Sequence, residues 1–310
     1  MKHETAGDPI TGLKWTRRAL KKIAKELAKA DIHVNARTVG RILVKMGFTL
    51  KTCRKNIEAG KRKPGHRKRR DQQFKNIFRL RDKFERAGLP VISIDSKKKE
   101  KIGNFKNDGK ALRRDARETL DHDYPSDAKG KGIPYTIYDL QKNKALAVVG
   151  TSSETPEFAT DALETWWLMH GRRDYKNAKH IMIMADCGGG NGYRSTVWKR
   201  DLQTKLCNRY GLTISINHFP PGASKWNPIE HRVFSEISKN WAGEPLESYE
   251  TMLNYISTTT TESGLKVKAV LNEKIYEKGK KASVQELQNL NITWNKKIPE
   301  WNYTISPHKI

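Results

Sequence analysis

The segment that most constrains the fold is IMIMADCGGGNGYR, residues 181–194. Its five apolar residues run without interruption up to Asp186, and three glycines follow soon after. An apolar run of this length, bounded by turn residues, is typical of a strand that is buried on both faces of a sheet. A carboxylate inside such a strand would need a buried partner, whereas one at its end reaches the crevice where α/β sheets bind ligands. We therefore predict a strand over residues 181–186 that ends in a functional carboxylate, Asp186.

A second strand ends in the same way. Residues 91–95, VISID, follow a proline, and the chain beyond Asp95 is polar. If the two strands are neighbours, the carboxylates of Asp95 and Asp186 converge, and two like charges so close together raise a pKa. A divalent cation removes this cost, and oxygen ligands suit Mg²⁺ or Mn²⁺. Aspartate also favours strand ends as an ordinary turn residue, and for either aspartate alone that is the simpler interpretation.

A third acid, Glu230, lies in the segment HFPPGASKWNPIEHR, residues 218–232. Asn227 can cap a helix over residues 228–241, and Glu230 would then complete a capping box, which is a sufficient structural role. Phe234 and Ile237, however, follow Glu230 by four and seven residues. This spacing places Glu230 on the side of the helix that faces the sheet, where a carboxylate can do more than cap.

Strands and helices alternate through the middle of the chain. The apolar patterns predict strands over residues 91–95, 133–139, 145–149, 181–186 and 212–217, the second and third joined by the turn QKNK. They predict helices over residues 156–170, with Thr155 as the cap, and over residues 195–209 and 228–241. An antiparallel meander that leads into βαβ units makes a mixed sheet with helices on its faces. The fold class that we predict is therefore α/β.

The N-terminal part of the chain carries most of the positive charge. The net charge is +26, and residues 1–86 alone hold 26 basic and 8 acidic residues, a net of +18. A polyanion such as DNA is the natural partner of so segregated a charge, although a solvated basic surface would look the same. Thr16 can cap a helix that ends near residue 30, and Asn35 can cap a second helix over residues 36–46. Two short helices in a basic segment predict an all-α helix-turn-helix region.

The second of these helices offers four candidates for DNA contact. They lie off its apolar stripe and are predicted to face a groove: Arg37, Thr38, Arg41 and Lys45. Along the chain we predict a helix-turn-helix over residues 1–50 and a basic linker with a helix over residues 51–88. An α/β domain over residues 89–245 and a smaller C-terminal appendage over residues 246–310 complete the chain.

The sequence argues against a membrane protein and against a disulfide framework. It has no apolar run of about 18 residues, and its first ten residues lack the apolar segment of a signal peptide. The three cysteines, Cys53, Cys187 and Cys207, are far apart and form no C-x-x-C pair. We therefore expect no membrane partner, no zinc site and a cytoplasmic location.

The segments ISID, MIMADCGGGNGYR and HFPPGASKWNPIEHRVF together resemble the DDE transposases of bacterial insertion sequences. The stretch PP-x-x-S-x-x-NPIE is similar to the mariner-like superfamily. Longer runs, including GDPITGLKWTRRAL, VISIDSKKKEKIGNFKN, GIPYTIYD, TTTTESGLKVKAVL and WNYTISP, resemble the Rhodopirellula-type DDE transposases, also called the Azo-type insertion-sequence family. This resemblance spans nearly the whole chain. Members of that group are longer at the N-terminus, so we expect part of the region that recognises transposon ends to be absent here.

The resemblance implies both a fold and a chemistry. It implies a ribonuclease H-like catalytic domain whose acidic triad maps onto Asp95, Asp186 and Glu230, which are 91 and 44 residues apart. It also implies two Mg²⁺ or Mn²⁺ ions, and double-stranded DNA, both transposon ends and target, as the substrate. A homo-oligomer assembled on DNA in a prokaryotic nucleoid follows from the same resemblance.

Charged residues next to the triad are weaker candidates. Lys97 and Lys98 follow Asp95 and are predicted to hold DNA phosphate, with a solvated charge run as an equal alternative. His218 directly follows the predicted strand 212–217 and is a candidate for contact with the scissile phosphate or water, although a lone histidine is more often structural.

Glycine and tryptophan near the triad have simpler interpretations too. The glycines at 188–190 would allow DNA backbone to approach closely, or would simply form a tight turn. Trp198 and Trp226 are candidates for stacking on bases, although tryptophans in such positions usually belong to the core.

Three functions are compatible with the residues and with this resemblance. The first is a DDE recombinase, and the second is a non-catalytic or truncated DNA-binding protein that represses transposition. The third is a metal-dependent ribonuclease on the same fold. The NPIE motif argues against the ribonuclease, and the complete set of three acids argues against the repressor.

Overall fold

The computed structural model describes the backbone of residues 5–7 and 14–16, and residues 18–51 and 65–309. Side chains are described within the last two ranges except at positions 66 and 224. The chain divides into two compact units, Met1–Glu58 and Ala59–Ile310. Cys53 and residues 52–64 of the predicted linker lie outside the described residues.

The first unit contains a short hairpin and two helices. Strands β1 (Thr5–Gly7) and β2 (Lys14–Thr16) pair in antiparallel fashion, and helices α1 (Leu20–Ala28) and α2 (Ala36–Lys45) follow. The two predicted helices are present. Thr16, however, pairs with Thr5 in the hairpin and does not cap α1, which begins at Leu20. The region is therefore not all-α, because a strand ladder takes up the residues that we assigned to the first helical turn.

The start and end of α2 follow local rules. Asn35 caps the helix, since its Oδ1 accepts a hydrogen bond of 2.8 Å from the backbone N–H of Thr38, as predicted. Gly47 follows the helix with φ of +83°, a conformation that suits glycine.

The second unit is built on one large sheet. Its strands are β3 (Val91–Ser96), β4 (Glu100–Ile102), β5 (Gly130–Asp139), β6 (Lys144–Gly150), β7 (His180–Ala185), β8 (Thr213–His218), β9 (Lys266–Asn272), β10 (Ile292–Trp294) and β11 (Asn302–Ile305). The order is β10-β11-β8-β7-β3-β5-β6-β9, and β4 pairs with β5. Strands β3, β7 and β8 are parallel, whereas β3, β5 and β6 form an antiparallel meander. The predicted α/β fold, a mixed sheet flanked by helices, is confirmed.

Helices cover both faces of this sheet. The α-helical segments are α3 (His66–Arg86), α4 (Pro156–Trp166), α5 (Arg172–Asp174), α6 (Thr196–Asp201), α7 (Ser235–Asn240), α8 (Tyr249–Ser257) and α9 (Val284–Gln288). Three π-helical segments continue or begin the predicted helices: π1 (Trp167–Gly171), π2 (Leu202–Asn208) and π3 (Glu230–Phe234). Such π segments are rare and are often found at functional sites.

Two apolar layers form because successive residues of a strand point to opposite faces. One layer includes Ile92 and Ile94 with Trp198 of α6, and the other includes Val91 with Ile77 of α3. The five apolar residues before Asp186 are all buried, as predicted for a strand covered on both faces.

The C-terminal residues belong to the same sheet. Residues 246–310, which we predicted as an appendage, contribute β9, β10 and β11 to it. β11 pairs antiparallel with β8, and β9 pairs parallel with β6. These strands cover the outer strands of the meander and of the βαβ units, whose backbone groups would otherwise lack partners. Within the described residues, no helix is long and apolar enough to cross a membrane.

Replacing Asn302 by alanine tests whether the last strand stabilises the whole unit. The buried Asn302 donates to Gln73 Oε1 of α3 at 2.6 Å and accepts from Gln73 Nε2 at 2.9 Å. Alanine leaves the buried Gln73 amide without these partners, so we expect the free energy of unfolding to fall by about 1–3 kcal/mol in urea denaturation. The control Thr293→Ala, at an exposed position of β10, should change it by no more than about 0.5 kcal/mol. Equal effects of the two variants would contradict the prediction.

Candidate active site

The register of two neighbouring strands brings the two aspartates together. The last paired residues of β3 and β7 are Ile94 and Ala185. Asp95 and Asp186 each come next, so they lie at the same level on parallel strands about 4.8 Å apart.

Asp95 is the most buried of the three acids. Its side chain is 8% exposed, and its Oδ1 accepts a hydrogen bond of 2.8 Å from the backbone N–H of Ser96. Burial raises the pKa of Asp95 to about 8, and the charges of Asp186 and Glu230 add to the shift. The three carboxylates therefore lie within electrostatic reach of one another, as like charges gathered at one edge of the sheet.

Asp186 is held by the glycine-rich turn that follows it. Its Oδ1 accepts hydrogen bonds of 3.1 Å from the backbone N–H of Gly188 and from Asn191 Nδ2. Gly189 has φ of +62°, and a Cβ at Gly190 would lie 2.7 Å from the carbonyl oxygen of Thr155. The turn therefore requires glycine for its own conformation and for packing at the start of α4, which is the simpler of the two interpretations.

Glu230 begins the segment π3 and is half-buried. Burial raises its pKa, with the neighbouring His231 working against the shift and the carboxylate of Asp186 adding to it. The capping box that would have explained Glu230 structurally is not formed, because the side chain of Asn227 turns away from the helix and towards β3.

Asn227 links the helix of Glu230 to the strand of Asp95. It is fully buried, and its Oδ1 accepts a hydrogen bond from the hydroxyl of Ser93. Its Nδ2 donates to the carbonyl oxygen of Ile94 at 3.2 Å and approaches Asp95 Oδ2 at 3.5 Å. The hydroxyl of Ser93 in turn accepts from the backbone N–H of Ile229 at 3.3 Å. We call Ser93 and Asn227 the clamp. The signal in the sequence that could have revealed it is the NPIE motif, which begins with Asn227. We interpreted Asn227 as a helix cap, whereas its side chain binds β3.

His218 belongs to a buried chain of hydrogen bonds behind Asp186. Its Nδ1 lies 2.7 Å from the carbonyl oxygen of Asp186, which can only accept, so Nδ1 carries the proton. Burial lowers the pKa of His218 to about 4, so the ring is neutral and Nε2 accepts from the hydroxyl of Tyr303 at 3.3 Å. Trp198 Nε1 donates to the same hydroxyl at 3.1 Å. His218 has no exposed surface, so the predicted contact with DNA does not fit its position.

The two predicted phosphate-binding lysines differ in position. Lys97 is buried, with Nζ 3.4 Å from Glu100 Oε1 and 4.6 Å from the ring centroid of Trp241. Burial lowers its pKa. A phosphate contact does not fit Lys97 as it is placed, whereas Lys98 is exposed beside it and can make one.

The four predicted DNA contacts of α2 lie on its accessible side. Arg37, Arg41 and Lys45 are exposed and spaced four residues apart, so they form one stripe. Thr38 is half-buried, and its hydroxyl lies 3.4 Å from Arg41 Nη2. The predicted apolar stripe of α2 buries Val39 but leaves Ile42 45% exposed.

The two candidate tryptophans differ in their exposure to solvent. Trp198 is fully buried, as the core interpretation requires, whereas Trp226 is 56% exposed. Cys187 and Cys207 are free, and burial raises the pKa of each to about 12, so neither is a reactive thiolate.

The chemistry of the three acids suits a divalent ion. Carboxylate oxygens are the ligands that Mg²⁺ and Mn²⁺ prefer, and a bound cation would favour the ionised form of Asp95, whose pKa is raised by burial and by the charges of Asp186 and Glu230. Thr136 lies opposite Asp95, and among the described residues its buried hydroxyl has no hydrogen-bond partner. In the same part of the chain, no three His, Cys, Asp or Glu side chains converge closely enough to hold one ion as they are placed. The carboxylate oxygens are therefore suitable ligands for such an ion, but the three acids as placed are too far apart to hold a single ion together.

Comparison with known proteins identifies the family. Residues 1–307 match the family described as the Rhodopirellula transposase DDE domain. The chain belongs to this family. No match was found among curated proteins.

Solved structures of a mariner transposase resemble this transposase-family chain in fold. The Mos1 transposase paired-end complex with left transposon end has a TM-score of 0.47 and 13% sequence identity. The Mos1 mariner paired-end complex with Mn has a TM-score of 0.46 and 14% identity. The corresponding complex with Mg has a TM-score of 0.45 and 12% identity. In each case 77% of this chain is covered, and it spans 65% of the Mos1 chain.

Changing Asp95 to asparagine should alter how stability depends on pH. The pKa of Asp95 is about 8 in the folded protein and near 3.8 when unperturbed, so the folded state binds a proton that the unfolded chain has released. The metal-free protein should therefore lose stability as the pH rises from about 4 through about 8. The Asp95→Asn variant has no carboxyl group to titrate at this position, so it should not lose stability in this way. Its free energy of unfolding should exceed that of the wild type by ~1 kcal/mol or more at pH 8. Urea denaturation in EDTA across this range measures the difference, and a pH-independent difference would contradict the prediction.

Breaking the clamp should weaken metal binding. Asn227→Ala removes the groups that hold the end of β3 against the helix of Glu230, and loss of such supporting hydrogen bonds typically costs about 10- to 100-fold in metal affinity. Titration with Mn²⁺, followed by electron paramagnetic resonance, measures this affinity directly. The control is Asn240→Ala. Asn240 is the last residue of α7, the helix that continues from π3, and its side chain also donates a hydrogen bond, to the carbonyl oxygen of Tyr255 in α8. Equal Mn²⁺ affinities for the two variants would show that the clamp does not position the acids.

Proposed function

We propose that this chain is a DDE transposase of a bacterial insertion sequence. It cuts DNA strands at the ends of the element and joins them to a target. The observation that supports the proposal is that Asp95 and Asp186 lie side by side at the ends of β3 and β7, while Asn227 ties the helix of Glu230 to the end of β3. This arrangement occurs in a chain that belongs to a DDE transposase family over residues 1–307.

Asp95, Asp186 and Glu230 would hold two Mg²⁺ or Mn²⁺ ions through their carboxylate oxygens. When bound, the ions would supply an activated water or DNA 3′-hydroxyl and would stabilise the leaving 3′-oxygen. Little acid–base chemistry is then required of the protein itself.

The protein's own groups orient the acids for this task. Ser96 and Asn227 face the two oxygens of Asp95, and Gly188 and Asn191 hold one oxygen of Asp186. His218 fixes the backbone of Asp186 from inside the protein. Because Asp95 is protonated below about pH 8 without metal, it must release a proton as it becomes a ligand.

The basic surfaces would hold the DNA. We propose that residues 1–50 recognise double-stranded DNA through the exposed stripe of Arg37, Arg41 and Lys45, with Thr38 beside it. Lys98 would bind phosphate next to the site, and the protein would act as a homo-oligomer on DNA in the prokaryotic nucleoid.

One observation favours a second function, that of a non-catalytic DNA-binding repressor. Among the described residues, no three His, Cys, Asp or Glu side chains lie close enough together to hold one metal ion as they are placed. In this alternative the DNA-binding surfaces act and the acids do not.

Loss of one acid should separate the two functions. We expect the purified protein, with Mg²⁺, to nick a plasmid that carries its coding sequence with the flanking DNA, and to join the 3′ ends to a second plasmid. Asp186→Asn removes a metal ligand and should reduce cleavage by ~1,000-fold or more while duplex binding is kept. Gel analysis of nicked and joined products measures both reactions.

The control is Glu236→Gln in α7, whose carboxylate pairs with Lys239 at 2.7 Å and is not part of the triad. Its cleavage should match the wild type. Salt-dependent binding without any metal-dependent cleavage by the wild type would favour the repressor and overturn the transposase proposal.

A further inference from the structure

Three aromatic side chains form an exposed surface in the second unit, which we call the aromatic platform: Phe74, Phe78 and Trp226. Trp226 and Phe78 are each 56% exposed. Phe74 lies between them, its ring centroid 6.3 Å from that of Phe78 and 6.0 Å from that of Trp226. Clustered exposed aromatics of this kind mark a binding site more often than single apolar residues do.

The platform lies next to the candidate active site. Trp226 ends the 3₁₀ turn Ser224–Trp226, and Asn227 of the clamp follows it directly. Asn227 is fixed to the end of β3 beside Asp95, and Glu230 comes four residues after Trp226. Trp226 therefore belongs to the same short segment of the chain as the candidate metal ligand Glu230.

The charges around the platform indicate a negatively charged ligand. Lys225 Nζ lies 5.6 Å from the ring centroid of Trp226, and the guanidinium of Arg70 lies 5.8 Å from that of Phe74. Helix α3, which carries two of the three rings, has nine basic and three acidic residues. Flat apolar rings among cations are the usual means of holding a nucleic-acid strand by its bases and phosphates.

We propose that the aromatic platform stacks an unpaired base of the DNA strand that enters the candidate active site. This inference rests on the proposed function for the identity of the strand. Bases inside a paired duplex are already stacked on each other, so only a frayed end or a displaced base can offer its face to Trp226. Trp198 cannot take this role, because its ring is fully buried.

Fluorescence anisotropy with two labelled duplexes tests the proposal. One duplex is blunt, and the other carries a short tail of unpaired thymidines. We expect the wild type to bind the tailed duplex more tightly, and Trp226→Ala to lose roughly 5- to 150-fold in affinity for it, the usual effect of removing one stacking ring. Affinity for the blunt duplex should change little, and Trp226→Phe should keep most of the preference.

A matched control is available in Trp294, which is 47% exposed on β10. Trp294→Ala should bind both duplexes like the wild type. If Trp226→Ala loses affinity equally for both duplexes, or for neither, base stacking on the platform is ruled out. If it instead changes the sedimentation of the protein without altering the preference for tailed DNA, a second copy of the chain covers the platform and the proposal fails.

Binding is measured in EDTA, so the result does not depend on cleavage. A protein that shows the Trp226-dependent preference but never cuts DNA would overturn the proposed function and leave the platform intact. If the protein cuts DNA but shows no preference for the tailed duplex, the proposed function stands and the proposed role of the aromatic platform is wrong.

Discussion

The parallel pairing of β3 with β7 is the constraint on which the candidate site depends. It places Asp95 and Asp186 at the same level on adjacent strands, where their negative charges repel. Ser96 donates a hydrogen bond to Asp95, and Gly188 and Asn191 donate to Asp186, yet burial, together with the charge of Asp186, still raises the pKa of Asp95 to about 8. The fold thus holds two carboxylates together against their mutual repulsion. A positively charged ligand bound at that edge of the sheet would be stabilised by both.

Two buried systems support this edge from opposite faces of the sheet. The clamp acts from the face covered by α3 and α7 and controls the direction of the Asp95 carboxylate and the start of the helix of Glu230. The chain from Trp198 through Tyr303 and His218 acts from the other face and holds the backbone of Asp186. Because both systems have their hydrogen bonds largely satisfied inside the core, they can be rigid without exposing polar groups to solvent.

Local signals in the sequence were sufficient for much of the fold. The caps Asn35 and Thr155 act as predicted, because each needs only a side chain three residues from a backbone N–H. The apolar runs that end at Asp95 and Asp186 predicted buried strands with terminal carboxylates, because strand periodicity is also local.

Features that depend on distant partners could not be predicted in this way. Asn227 can satisfy its amide at the helix terminus or at β3, and the choice is made by Ser93, 134 residues earlier in the chain. The burial of His218 depends on Tyr303 and on the carbonyl of Trp301, which no pattern around residue 218 reveals. Strands β9 and β11 were missed for the same reason, since their partners β6 and β8 lie far away in sequence.

Strand β11 follows the other described strands in sequence, and it lies between β10 and β8 near one edge of the sheet. Tyr303, which completes the hydrogen-bond chain to Asp186, is therefore synthesised after the other described strands of the sheet. A growing polypeptide emerges N-terminus first, so its basic N-terminal helices are free to fold long before this chain of hydrogen bonds is complete. The hydrogen bonds that hold the backbone of Asp186 are therefore completed only after the strands that carry Asp95 and Asp186 have been synthesised.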